Sequence, residues 1–414
     1  MTETLAVIQH AAEGVVGYIY PNESELHWSI LIVLYPYLTG LVAGAFILAS
    51  LERVFSVSAV RPTYRLALIT ALSFLIAAPL PLLAHLSKPW RFWEVLVTPH
   101  VTSAMAMFGF VYMWYLLVVL ILEIWFEYRR DFVVWSNAGS GGKRRLYGWL
   151  TLGVRDVSEP VVRFDETAIR VISVIGIPSA FLLHGYVGFI FGSIKANPWW
   201  SSVLMPVIFL FSAIVSGIAL VMLIFLVSNV LRKITPDMEC IDTLGRYLFY
   251  AFIVDFALEG LDVIQRTYAS EESFDVLYAL VHGRLFETHI IFQILLGTLI
   301  PIALLGIIQV TRVSKPIRLA IYWFVGFLVQ VGIFFMRWNV VIGGQLFSKS
   351  FRGFTIYKLG LIGREGGLAA LLLFLLPFAI LMFLIWLLPP WQETHRPTTN
   401  IPSSVRDAQA IIES

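Results

Sequence analysis

From residue 367 to residue 388 the chain carries no charged side chain and no histidine, and eight more long apolar stretches precede it. At 1.5 Å per residue, a helix of about 20 residues crosses a hydrocarbon core about 30 Å thick. Hydrophobic residues make up 58% of the chain and charged residues 14%, more apolar surface than a soluble domain can bury. The sequence therefore predicts an all-α polytopic membrane protein. Spans are expected near residues 28–52, 64–86, 101–126, 168–194, 203–231, 244–266, 285–310, 318–341 and 367–388. Residues 3–20 are a candidate tenth. They lack a basic start and carry Gln9, His10 and Glu13, so residues 1–27 read as an amphipathic or marginal first helix, not as a cleavable signal peptide.

Between the third and fourth spans lies a polar insert, Arg129 to Asp165, and residues 342–366 form a second long connection rich in glycine and cations. The tail at 391–414 has the Pro, Thr and Ser content of a disordered segment. Connections after odd-numbered spans, with the tail, hold 19 of the 29 Lys and Arg residues. By the positive-inside rule those connections are cytoplasmic. The turns at 85–100, 195–202 and 267–283 then face outward, and the expected location is an inner (cytoplasmic) membrane.

A weak repeat runs through the chain. Span one reads Pro36-x3-Gly40-x3-Gly44, and span five Pro206-x5-Ser212-x3-Ser216-Gly217. Span four ends from His184, and span eight ends Arg337-Trp-Asn-Val-Val-Ile-Gly-Gly344. An even number of spans per unit gives two four-helix bundles of the same orientation, at 28–195 and 196–345. One or two peripheral helices would complete the fold, with residues 346–390 as a connection and C-terminal span. Small residues at spacing four also serve helix packing, so similar packing seams are the alternative.

The turn from His85 through Lys88-Pro-Trp-Arg-Phe-Trp-Glu94 to His100 is richer than a connection requires. Such residues anchor hairpins at the interface, or they form the mouth of a site for an amphipathic ligand. His184 and Tyr186, near the outer end of span four, add donors at the same level, and donors beside aromatic walls suit a carbonyl head group. In span six, Asp255, Glu259 and Asp262 stand at i, i+4 and i+7 and share one helical face. Carboxyl groups in hydrocarbon are costly and suit proton transfer; fixed pairing with Arg266, Arg284 or Arg337 is the alternative. With Cys240 as the single cysteine, iron–sulfur ligation and covalent haem attachment are excluded. No histidine pair at matched depth favours haem b, and no metal spacing, phosphate loop or nucleic-acid signature is present.

Tyr37-Leu-Thr-Gly40-Leu-Val-Ala-Gly44, the Lys88-Pro-Trp-Arg-Phe-Trp93 turn, His184-Gly-Tyr-Val-Gly188 and Arg337-Trp-Asn-Val-Val-Ile-Gly-Gly-Gln345 occur in an order and spacing that resemble the polysulphide reductase/NrfD-type integral membrane subunits. The resemblance implies a quinone site in the first bundle near the outer, periplasmic face, and no haem or iron–sulfur cluster in the chain itself. It implies Tyr37, Gly40, Trp90, Arg91, His100, His184 and Tyr186 as quinone-site residues. It further implies an outside-facing iron–sulfur partner, with a molybdopterin-oxidoreductase-like subunit and a multihaem cytochrome c. The expected function is reduction of menaquinone within a respiratory complex, with protons drawn through Glu123, Asp255, Glu259, Asp262 and His184. A proton-coupled secondary transporter and a cytochrome b-type anchor are the rivals.

Overall fold

The computed structural model describes residues 15–23, 26–98, 100, 102–138, 141–268 and 273–391. Nine long helices run through Ile30–Arg53, Ser58–His85, Ala106–Ala138, Glu159–Gly192, Met205–Leu231, Met238–Tyr268, Phe286–Val310, Lys315–Val341 and Gly367–Leu387, here helices one to nine. Among the described residues, eight of them are long and apolar enough to cross a membrane. Helix six is the exception. Its 31 residues suffice in length, but the acid stripe and its two arginines interrupt the apolar run.

Local chemistry sets several boundaries. The Ser29 hydroxyl accepts from the Leu31 amide and caps helix one. Pro79 and Pro81 supply no N–H, and helix two breaks there into Arg61–Ala77 and Leu80–His85. Helix three carries a widened π segment at Tyr115–Ile121 and helix seven another at Phe286–Leu299.

Helix one is the axis of the packing. It is apolar on every side and nearly all of it from Leu31 to Ser50 is buried, the pattern of a helix with no exposed face. It touches helices two, four, five and eight. Helices one to four contact one another in a ring, and so do five to eight; helices one and five join the two. Glycine makes that junction: a Cβ on Gly44 would stand 2.0 Å from the Ala213 carbonyl oxygen, and one on Gly217 would stand 2.3 Å from the Gly44 carbonyl carbon. Helix nine lies against helix two, where Phe74 meets Phe378 edge-on.

The insert at 129–165 is more helical than its composition predicts. Helix three continues to Ala138, a short helix covers Gly141–Leu150, and helix four starts at Glu159. Buried Arg129 closes the insert on Asp165 with bonds of 2.8 and 2.5 Å. The connection after helix eight is also structured: Val16 and Gly17 pair antiparallel with Phe354 and Gly353. Of residues 1–27, read as an amphipathic or marginal first helix, residues 15–23 hold instead a short strand at Val16–Gly17 and a single 3-10 turn at Pro21–Glu23; residues 1–14 lie outside the described residues, as does the tail from 392 on.

Candidate functional site

The predicted site residues fall into three places. The first is the turn after helix two and what lies beneath it. Arg91 holds Glu94 by two bonds of 2.6 and 2.7 Å. Those bonds keep the half-exposed Glu94 carboxyl below its ordinary pKa range. A single helical turn at Glu94–Val97 rests on helix three, where a Cβ on Gly109 would meet the Val95 side chain at 2.8 Å. Trp90 is 67% exposed, and Phe92, Trp93 and Val97 are also at the surface. His100 is exposed and sits 2.7 Å from the Thr102 hydroxyl. His85 pairs with Glu365 at 3.0 Å, which ties the turn to the later connection.

Next to Gly109, the Phe108 ring meets Tyr35 edge-on at 5.3 Å and stacks on Tyr186 at 6.3 Å. Tyr112 hydrogen-bonds the Leu75 carbonyl at 2.6 Å. The phenols of Tyr112 and Tyr186 lie within electrostatic reach of the Tyr35 hydroxyl. That hydroxyl is buried and has no partner among the described residues. Tyr35 was not predicted; its signal was its place two residues before Tyr37, which puts the two phenols on opposite sides of helix one.

The second place is the centre of the molecule, and Tyr37, Gly40 and His184 belong to it. His184 is fully buried. Arg337 Nη2 donates to His184 Nε2 at 2.9 Å, and Thr39 Oγ1 is 3.3 Å from Nδ1. A guanidinium only donates, so Nε2 accepts and the proton sits on Nδ1, facing Thr39. Gly40 makes the room, since a Cβ there would come 3.1 Å from the imidazole. Arg337 also donates to Ser212 at 2.7 Å and lies 4.0 Å over the Phe209 ring. Tyr37 donates to Gln330 at 2.8 Å. Since successive helical residues are 100° apart, His184 and Tyr186 diverge just as Tyr35 and Tyr37 do. The seven residues implied by the resemblance are therefore divided between the turn after helix two, with what lies beneath it, and the centre.

The third place is a cavity of about 360 Å³ between helices six, seven and eight and the short helix Phe274–His282. Glu259 and Asp262 line it, with His289, Gln293 and Asn339. Gln293 donates to Glu259 at 3.4 Å and accepts from Asn339 at 2.8 Å and from His289 at 3.0 Å. Asp262 is salt-bridged to Arg266 at 2.9 Å, the fixed pairing weighed as the alternative for this stripe. Asp255 is buried deeper, and its Oδ1 has no partner among the described residues. Arg337 lies within electrostatic reach of Asp255 and Glu259.

Glu123 lies apart from all three. It accepts from Tyr64 at 3.1 Å and Ser173 at 2.7 Å. It is the first of a stripe with Glu127 and Asp131, which meet Arg53 and Arg65. Spacing of four along helix three was the signal for that stripe. Among the described residues, no group of three or more His, Cys, Asp or Glu is placed to share a metal ion.

Residues 20–349 match the family described as polysulphide reductase, NrfD. The chain belongs to the polysulphide reductase/NrfD family. It is 30% identical over 325 residues to a selenate reductase subunit of Mesobacillus selenatarsenatis, covering 76% of this chain and 73% of that protein. Similarity to protein NrfD of Escherichia coli is 31% over 207 residues, covering 48% of this chain and 59% of that protein. A NrfD homolog of Haemophilus influenzae is 25% identical over 215 residues, or 50% and 62% of the two chains. The NrfD match spans helices one to eight and the glycine seam between helices one and five, so this is a multi-pass membrane member of the NrfD family.

Proposed function

We propose that the chain is the quinone-binding membrane subunit of a respiratory oxidoreductase complex, in an inner membrane, with the quinone head group held beneath the turn at 85–100 near the periplasmic face. The observation that carries this reading is the Tyr35 hydroxyl. A buried donor without a partner costs about 1–3 kcal/mol, and a bound carbonyl oxygen would remove that cost. Tyr186 would present a second phenol, and Phe108 an aromatic wall between the two. This set fits a quinone, which has two carbonyl oxygens on a flat ring.

When bound, menaquinone would take two electrons and two protons and leave as the quinol. The chain's own residues bind, orient and supply protons. Trp90, Phe92 and Trp93 offer an exposed apolar collar over which the electron-carrying partner, an iron–sulfur subunit on the outer side, would dock. Arg91, braced by Glu94, and His100 belong to that collar. Both ring nitrogens of His184 are engaged, so its part is to position Thr39 on helix one, with Tyr37 and Gly40 packing around it. Glu123 and the acids Asp255 and Glu259 would pass protons from the cytoplasmic side, with Asp262 at their outer end.

The test is electron exchange between a menaquinone analogue and the purified complex, followed by quinone absorbance. Tyr35→Phe should raise KM for the analogue about tenfold, the worth of one hydrogen bond of about 1.4 kcal/mol. An unchanged KM in both Tyr35→Phe and Tyr186→Phe overturns the reading.

A further inference from the structure

The cavity beside helix six is on different helices from the head-group site proposed above, and of the residues named for that reading it shares only the acids Glu259 and Asp262. Its inner end is polar and almost dry: Asn339 is 1% exposed, and Gln293 is 5% exposed. Asn339 gives its amide N–H to Gln293, and its Oδ1, buried in the wall, has no partner among the described residues. The Glu259 carboxyl, bonded to the same Gln293, is held by the weaker 3.4 Å contacts. Both groups call for a donor. The remaining wall is mostly apolar, with Phe256, Ile290 and Met336, and the volume of about 360 Å³ lies within the range of ligand pockets. Val263 and Tyr278 on its lip are each 57% exposed, so an apolar tail has a way out over apolar side chains.

From these features we infer that this cavity is a second ligand site, which takes a hydroxylated aromatic ring on an apolar tail, that is, a quinol. The hydroxyl groups donate to Asn339 Oδ1 and to Glu259, and the ring lies against Phe256. A phospholipid is the poorer occupant: its phosphate brings acceptors and a negative charge to a wall that already holds Glu259 and Asp262, with Arg266 committed to Asp262. The cavity thus gives Gln293 and Asn339, polar residues buried in hydrocarbon, a role beyond packing.

Gly260 provides the test. It lines the cavity, a Cβ added there meets nothing within 4 Å, and leucine is a better helix former than glycine. Gly260→Leu therefore fills the cavity in a protein that folds normally, while Gly260→Ala leaves it open. Fluorescence titration of the purified complex with 2-heptyl-4-hydroxyquinoline N-oxide, a quinol-shaped amphiphile, should give two sites per chain. Gly260→Leu should leave one, Gly260→Ala both, and Tyr35→Phe should weaken only the other. A single site untouched by Gly260→Leu overturns the inference, as does a second site that persists in that variant. Phospholipid displaced by Gly260→Leu in native mass spectrometry, with the amphiphile stoichiometry unchanged, overturns it too. A Tyr35→Phe variant with no effect counts against the first site alone.

Discussion

Arg337 and His184 meet at 2.9 Å in the middle of the molecule, joining helix eight to helix four across the full depth of the packing. Both are fully buried, and the cation's hydrogen bonds go to neutral groups, among them the imidazole, the Ser212 hydroxyl and the Met336 sulfur. Asp255 and Glu259 are carboxyl groups within electrostatic reach of it. Arg337→Met should leave His184 Nε2 and the Ser212 oxygen without their donor, destabilising the protein by about 1–3 kcal/mol for each buried group left unpaired. Arg337→Lys keeps the charge but cannot reach all three groups at once. Thermal unfolding in detergent should rank wild type above Lys and Lys above Met. Equal midpoints for wild type and Met would show that the pair holds nothing together.

The two tyrosines of helix one should answer oppositely to the same change. Tyr37→Phe leaves Gln330 Oε1 without its donor and should cost about 1–3 kcal/mol of stability. Tyr35→Phe removes a hydroxyl that bonds nothing among the described residues, so stability should hold or rise while quinone-analogue affinity falls. Denaturation midpoints and binding isotherms on the same two preparations separate the effects.

At the crossing of helices one and five, Gly217→Val places branched carbons where the Gly44 backbone already stands. Overpacking of a close-packed seam costs about 1–3 kcal/mol or more, and the variant should fail to accumulate in membranes. Gly148→Ala is the control. A Cβ there meets nothing, and helix propensity should stabilise it by up to about 1 kcal/mol. Immunoblots of membrane fractions would compare them.

In the charged network at the end of helices one to three, Glu127 accepts from Arg53 at 2.5 Å and Arg65 at 2.8 Å. Glu127→Gln should leave buried Arg65 and half-buried Arg53 each short of a counter-charge and lower the unfolding midpoint far more than Glu159→Gln. Glu159 forms only an exposed pair with Arg163, worth about 0.2–1 kcal/mol. Similar losses in the two variants would overturn this ranking.

Much of this arrangement was legible in the chain itself. Apolar runs of membrane-spanning length dictated the helices, because backbone groups in hydrocarbon must bond within their own segment. The acid stripe of helix six was visible from its spacing, since Asp255, Glu259 and Asp262 share a face by helical geometry alone. The partner each acid takes was not visible: Arg266 is four residues from Asp262, but Gln293 comes from another helix.

The sequence by itself determined the membrane class, the positions of the long helices and the motifs of the NrfD family. Only the tertiary structure decided that Tyr35 and Tyr37, or His184 and Tyr186, serve different places. It also decided that Arg337 reaches His184, and that a cavity opens beside Gly260. The reason is physical. Helix formation is settled by neighbours within a turn, but the side of a helix that meets a ligand is set by how helices rotate against one another. Those rotations are fixed by close approaches such as Gly44 on Gly217, between residues far apart in the chain.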